Sequence, residues 1–305
     1  LEVIVCDNQS ADNSLEVARS FCDSRLRVYA NKRNLGIYGN FARTTELARG
    51  RYLKFLCADD WLDVDYLEVA LAYFDKYPQA GLVTTRQTVI TDEGRVITRR
   101  DEAIKGKDIY TPDEYLNVIL RRINPIGNPT RVIVRHDAFD AVGGFDPGNE
   151  YAGDLDLWLR IAAKYPIAAV PEIHCYERKH ATQSTHSHVK QATDIRDCCL
   201  AFKKNFEDLP DFWTLERRIE LCRHGLAPFA RHAISTWLTG DRRYFERLTE
   251  YMSELCPARY WLLYHVFSFP WAVARMHLYR QVRRLGIRRE GCQAYLQGLK
   301  ISCHL

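Results

Sequence analysis

The chain has 305 residues, with 43 Lys and Arg against 39 Asp and Glu, for a formal charge of +4. Apolar residues make up 47% and charged residues 27%, which excludes a wholly disordered chain, a fibrous chain and a small disulfide-stapled scaffold. The length suits one large domain or two smaller ones.

Strand and helix patterns alternate from the first residue. Val3-Ile4-Val5-Cys6 is a strand, and the spacing of Leu15, Val17, Ala18, Phe21 and Cys22 predicts a helix over 11–22. A strand at 26–30 and a helix at 39–48 follow. Residues 52–57 form a strand that ends in Ala58-Asp59-Asp60. Leu67, Ala70, Leu71 and Phe74 place a helix over 65–77, stopped by Pro78. Strands at 81–85 and 87–90 lead to the turn Asp92-Glu93-Gly94. This alternation predicts βαβ units and a mostly parallel sheet, in which ligands bind at the strands' carboxyl ends. Asp7-Asn8 and Asp59-Asp60 both fall there. Because Leu1 already lies inside a strand pattern, an N-terminal segment is expected to be missing.

The middle of the chain is mixed. It has a helix at 112–120, a Pro/Gly loop at 125–129, a strand at 131–135 and a turn at 143–146. A helix over 154–163 and an extended return at 167–176 complete it. Helical patterns then take over at 193–206, 212–226, 230–238 and 243–255, which predicts a division into 1–188 and an α-helical region, 189–305. Residues 1–190 carry 25 basic and 27 acidic side chains, and the remainder 18 and 12. That basic bias is too weak to argue for nucleic acid. The ten cysteines include no C-x-x-C pair and read as reduced thiols of a cytoplasmic protein. No apolar run reaches the ~18–20 residues that span a bilayer.

Three acidic clusters carry candidate chemistry. Adjacent carboxylates at Asp59-Asp60 repel one another, and a divalent cation relieves that, or they open a helix as caps. Asp7, Asn8, Ser10 and Asp12 form either a turn with cap chemistry or a nucleoside site. Asp154 and Asp156 open a helix, where one can face a cleft while the other caps.

These strings also carry a resemblance. Val3-Ile4-Val5-Cys6-Asp7-Asn8-Gln9-Ser10-Ala11-Asp12-Asn13-Ser14 resembles the V-I-V-V-D-[DN]-x-S-x-D-x-[ST] segment of family-two GT-A glycosyltransferases. Asn34-Leu35-Gly36 with Asn40 is similar to that family's N-x-G...N stretch, and 53–60 to its F-L-D-A-D-D. Val142-Gly143-Gly144-Phe145-Asp146 followed by Asp154-Leu155-Asp156-Leu157-Trp158-Leu159-Arg160 resembles G-G-F-D...E-D-x-D-L-W-L-R, and 176–184 resembles Y-R-x-H-x-x-x-x-S. The blocks keep the family's order over roughly residues 1–185. The family's usual opening strand and helix, about 30 residues, are absent, in line with the expected missing segment.

The resemblance implies a GT-A fold and inverting transfer of a sugar from a UDP-, GDP- or dTDP-sugar donor to a saccharide, lipid-linked or other hydroxyl acceptor, in polysaccharide or glycoconjugate synthesis. It implies nucleotide contacts at Asp7, Asn8, Asn34, Gly36, Asn40 and Asp59. Mg²⁺ or Mn²⁺ falls to Asp59, Asp60 and His180, the general base to Asp154, and sugar contacts to Asp156 and Trp158. Two positions depart from the pattern. Cys57 replaces the first Asp of D-x-D, and Gly153 replaces the Glu before Asp154. They motivate an alternative, a nucleotide-sugar-binding protein with impaired catalysis. Beyond the resemblance, Trp261, Tyr264, Phe267, Phe269 and Trp271 precede an Arg-rich stretch. That pattern suits either a packed helical cap or peripheral contact with an anionic inner membrane face.

Overall fold

The computed structural model describes residues 1–100, 106–180, 193–238 and 242–257, with backbone alone at 99–100 and 234–238. Leu1–Cys256 form one compact unit, and Pro257–Leu305 are a separate one. The expected boundary at 188/189 and the aromatic and Arg-rich stretch from 260 onward lie outside the described residues. Among the described residues, no helix is long and apolar enough to cross a membrane.

The N-terminal βαβ unit forms as its pattern predicts. β1 (Val3–Asp7) and β2 (Leu26–Ala30) pair in parallel around α1 (Ser14–Ser20). α2 (Gly36–Glu46) follows and leads to β3 (Tyr52–Lys54) and the short β4 (Trp61–Leu62). α3 (Tyr66–Lys76) buries Tyr66, Ala70 and Phe74, four residues apart along one stripe. The two strands expected at 81–90 are one ten-residue strand, β5 (Leu82–Thr91), which turns at Asp92-Glu93-Gly94 into β6 (Val96–Arg100). β7 (Ile109–Tyr110) precedes α4 (Pro112–Ile119), which opens with a capping box between Thr111 and Glu114. A 3₁₀ turn (Pro129–Arg131), β8 (Val132–Arg135), α5 (His136–Ala141), α6 (Gly153–Ala162) and the long β9 (Ile167–Lys179) complete the α/β part. α7 (Thr193–Asp208), α8 (Leu215–Glu220), a π turn (Leu221–Gly225), α9 (Ala227–Leu238) and α10 (Arg243–Leu255) form the helical part.

The sheet corrects the expectation of mostly parallel strands. The larger sheet runs β3-β8-β5-β9-β4, with β6 on β5 and β7 on β9, and only its β5–β9 pairing is parallel. β3, β5 and β9 do share one direction. However, β8 inserts antiparallel between β3 and β5, because it enters from the loop above their carboxyl ends. Local βαβ patterning cannot register a strand inserted from 50 residues downstream. β1 and β2 form a sheet of their own.

Two apolar clusters hold this frame. α3 lays Tyr66, Ala70 and Phe74 over Val83, Ile133, Ala168 and Cys175, which lie on β5, β8 and β9. On the other side Phe145 contacts the rings of Tyr38, Phe41, Phe55, Phe139 and Trp158 at 5.1–6.4 Å. Offset and edge geometries of this kind add to the area these rings bury. Phe74 is 2% exposed and stacks on Tyr52 at 4.5 Å, tying α3 to β3. Phe74→Ala is expected to destabilise the protein by about 3–5 kcal/mol, read as a lower urea midpoint at unchanged slope.

Candidate active site

The catalytic candidates converge on one cavity of about 530 Å³. It is lined by Asp59, Asp60, Asp154 and His180 together with Tyr38, Asn124, Asn128, Tyr151, Glu177 and Lys179. β3 and the loop after it deliver Asp59 and Asp60. The carboxyl end of β9 delivers Glu177, Lys179 and His180, and the start of α6 delivers Asp154.

Asp59 and Asp60 face different partners. An Asp59 oxygen lies 3.0 Å from His180 Nε2. Asp60 Oδ2 accepts from Thr130 Oγ1 at 2.7 Å, and Oδ1 accepts from the Arg178 backbone N–H at 3.0 Å. Burial raises the Asp60 carboxyl to about 6. Below it, Lys54 is enclosed between the Thr130 and Val132 carbonyls and the Tyr66 ring, and burial depresses its ammonium to about 7. Lys54 thus ties β3 to the Thr130 loop that holds Asp60.

The donor set accommodates a divalent cation in part. The Asp59 oxygen and His180 Nε2 are separated by about the edge of an octahedron with ~2.1 Å bonds, and imidazole with carboxylate suits Mn²⁺ better than Mg²⁺. Cys57 Sγ lies within 4.8 Å of the Asp59 and Asp60 oxygens. Burial pushes its thiol up to about 12, so it offers a neutral sulfur rather than a thiolate. Asp60 is committed to Thr130 and Arg178. Asp59 and His180 are therefore the pair placed to hold an ion, with Asp60 behind them.

Among the described residues, Asp154 is held by neutral groups. Oδ1 accepts from the Leu155 N–H at 2.7 Å and lies 3.3 Å from the Tyr38 hydroxyl, and Oδ2 accepts from Asn124 Nδ2 at 3.2 Å. The Tyr38 hydroxyl also donates to the Tyr151 carbonyl at 2.9 Å. Burial dominates and raises the Asp154 carboxyl to about 6. The departure at Gly153 has a steric cause: a Cβ there would sit 2.5–2.7 Å from the Tyr38 ring. Glycine lets that ring pack directly on the first turn of α6.

The expected nucleotide residues form a second cluster beside the cavity. Asn8 Oδ1 accepts from Asn31 Nδ2 and the Leu35 N–H, and Asn8 Nδ2 donates to Asn34 Oδ1 and the Gly36 carbonyl. Asn40 accepts from Asn31 and donates to the Cys6 carbonyl. Asp7 accepts the Gln9 and Ser10 backbone N–H groups at the end of β1. This amide network fixes the start of α2 at Gly36, whose φ of +74° suits glycine, so that Ile37 and Tyr38 face the cavity.

Asp156 and Trp158 are placed elsewhere than expected. Neither lines the cavity. Asp156 is 4% exposed and pairs with Arg160 at 2.5 Å, and Arg160 donates to the Val142 and Gly144 carbonyls. Trp158 is buried and donates from Nε1 to the Gly127 carbonyl at 3.0 Å. Asp156, two residues on, is turned to the opposite side of α6 from Asp154, whereas Trp158 shares Asp154's face one turn further along, against the Gly127 loop. Sequence reasoning missed Tyr38, Asn124, Thr130, Asn31 and Lys54. The available signals were a lone Lys in an apolar strand and the Asn residues flanking Pro125–Pro129.

The profile described as Glycosyl transferase family 2 matches residues 1–143, so this part of the chain is similar to that family. A chondroitin synthase of Escherichia coli is 27% identical over 179 residues, 58% of this chain and 24% of that protein. A hyaluronan synthase of Pasteurella multocida is 27% identical over 185 residues, 58% of this chain and 17% of that one. The chain thus spans under a quarter of either. A crystal structure of S. aureus TarS 1–349 superposes with a TM-score of 0.64 at 15% identity, covering 94% of this chain and 83% of that one. The fold is GT-A.

Two predictions follow from the site. Gly153→Ala should displace Tyr38 and lower turnover at least tenfold, with the far-UV spectrum unchanged. Asp154→Asn removes a carboxyl whose pKa is higher folded than unfolded. Ionising it therefore costs stability as pH rises from about 4 through 6. The variant should match wild type near pH 4 and exceed it by about 1–3 kcal/mol above pH 7, measured by denaturant midpoints across pH.

Proposed function

We propose that the protein is an inverting glycosyltransferase that moves a sugar from a nucleoside-diphosphate donor to an acceptor hydroxyl, in synthesis of a surface polysaccharide or glycoconjugate. The observation that carries this reading is the cavity itself. It sets a carboxylate raised to about 6, Asp154, in the same enclosure as the Asp59–His180 pair.

The residues divide the work. The Asn8–Asn31–Asn34–Asn40 network with Asp7 supports the nucleoside at the end of β1. Asp59 and His180 hold a divalent cation, Mn²⁺ by donor chemistry, which supplies positive charge to the departing diphosphate. Lys179, paired with Glu177 in the cavity wall, adds a second positive group there. Asp154 takes the proton of the acceptor hydroxyl as that oxygen attacks the anomeric carbon from the face opposite the leaving diphosphate. A single displacement inverts that carbon. A base of pKa about 6 is ionised at neutral pH yet far more basic than an exposed carboxylate, so it accepts the proton with less penalty.

Several features support an enzyme over an impaired binding protein. Gly153 makes room for Tyr38, which reaches the Asp154 carboxyl, so this departure builds the site. The names of the polysaccharide synthases fit a polymer acceptor. TarS has been crystallised with UDP-GlcNAc, which makes UDP-sugars the first donors to try.

Asp154→Asn should lower transfer by about 10²–10⁴-fold while donor affinity by calorimetry stays within threefold. The wild-type rate should fall tenfold per pH unit below about 6, and the residual activity of the variant should lack that limb. Chelation should abolish transfer and Mn²⁺ should restore it, but not in Asp59→Ala. Retained configuration in the product, or equal rates for Asp154→Asn and wild type, would overturn the reading.

A further inference from the structure

α7, from the helical part, reaches into the loop that precedes Asp154. Its Asp197 is 2% exposed and points at the backbone of 149–152. One oxygen accepts the Glu150 N–H at 2.9 Å and the Tyr151 N–H at 2.7 Å. The other accepts from Arg196 Nε at 2.7 Å, and Arg196 also pairs with the Glu150 carboxylate at 3.3 Å. Asn149 Oδ1 takes the Ala152 N–H at 2.7 Å. Tyr151 is thereby held on both sides: its N–H on Asp197, and its C=O, in the next peptide plane with the Ala152 N–H that Asn149 takes, on the Tyr38 hydroxyl. That hydroxyl is the one beside Asp154 Oδ1.

We infer that Asp197 is a positioning residue for Asp154, acting through the Tyr151 peptide and the Tyr38 hydroxyl. It lies beyond the residues matched to the family and touches no reacting atom. The mechanism is geometric. A buried carboxylate bonded to two successive N–H groups holds both peptides in one orientation, and charge-assisted bonds of this kind are stronger than neutral ones. Without it the Glu150 and Tyr151 N–H groups are released, and the Tyr151 carbonyl is held only through the Asn149 bond to the next N–H. The single Tyr38 O–H can then leave that carbonyl for Asp154 Oδ1 at 3.3 Å, which shifts the Asp154 carboxyl and lowers its basicity. Positioning errors of this size are felt in turnover rather than in donor binding, because the donor side rests on β1, β3 and β9. The inference rests on the proposed base role of Asp154.

The test compares Asp197→Ala and Asp197→Asn with Phe206→Leu. Phe206 lies on the same helix nine residues further on and packs on Trp213 at 4.6 Å, so it reports general loosening of α7. Two readouts are taken on the full chain: steady-state transfer with a UDP-sugar, and amide hydrogen exchange over 149–155. Asp197→Ala should lower kcat ten- to a hundredfold with donor KM within twofold, and exchange at 149–155 should speed up at least tenfold. Asp197→Asn keeps an acceptor oxygen and should recover part of both. Phe206→Leu, at a comparable loss of thermal stability, should leave kcat within twofold and the segment protected. Unchanged protection at 149–155 in Asp197→Ala, or a kcat loss equal to that of Phe206→Leu, overturns the inference. Absence of transfer in wild type with every donor would instead sink the proposed function, and exchange would still decide whether Asp197 holds the loop.

Discussion

The site depends on burying two carboxylates, Asp60 and Asp154, among neutral hydrogen-bond donors of the described residues rather than against a guanidinium or ammonium. Burial disfavours the charged form, and a direct ion pair would reverse that. Asp23 shows the second case. It is exposed beside Arg25, whose hydrogen bonds lower its carboxyl to about 2. Asp60 and Asp154 show the first case, with Thr130, Arg178 N–H, Asn124, Tyr38 and Leu155 N–H as their donors. Neutral donors fix a carboxylate in place yet leave it basic. A guanidinium would fix it equally well and remove its basicity. Arg160, two turns into α6, is directed instead to Asp156, where an ion pair serves architecture.

That arrangement requires elements far apart in sequence to meet at one end of the sheet. The β3-β8-β5-β9 order sets Asp60 beside Thr130 and beside the Arg178 backbone, from three different strands or their ends. Lys54 pins the first of these from below, and its burial is tolerable because its ammonium is depressed toward neutrality. Phe145 does the corresponding work for α2 and α6, since its ring touches both Tyr38 and Trp158. The Gly143-Gly144 turn that delivers Phe145 is held by the Arg160 bonds to Val142 and Gly144. Asp156 and Trp158 therefore shape the cavity although they do not line it.

The legibility of the sequence follows from the range of the interactions. α3 was readable because Leu67, Ala70, Leu71 and Phe74 sit at helical spacing before Pro78, although the buried stripe proves to be Tyr66, Ala70 and Phe74 with Leu71 exposed. Asp59, Asp154 and His180 were readable because local strings place them at element ends. Sheet direction was not readable, because β8 enters between β3 and β5 from a distant segment. Asp156 and Trp158 fall outside the cavity lining because a motif gives residue order but neither the helix face, which excludes Asp156, nor the depth along it, which excludes Trp158. Tyr38 was invisible for a related reason. Its importance comes from the Cβ that Gly153 lacks, a complementarity across 115 positions that neither residue shows alone.

The cavity is also unevenly shared along the chain. Asp7, the asparagine network, Asp59 and Asp60 all fall within the residues matched to the family. Asp154, Tyr151, His180, Cys198 and Phe229 line the same cavity from beyond residue 143, the last two from α7 and α9. On the proposed reading, the donor half lies mostly within the matched residues and the acceptor half mostly beyond them, with helices α6, α7 and α9 in its wall. A nucleotide offers fixed groups, so a constant set of donors can hold it. An acceptor varies in shape, and a wall of helices brought against α6 can vary with it without disturbing the sheet. The helical part then does more than cap the domain, because its contact with the loop at 149–152 joins the variable wall to the carboxylate that performs the chemistry.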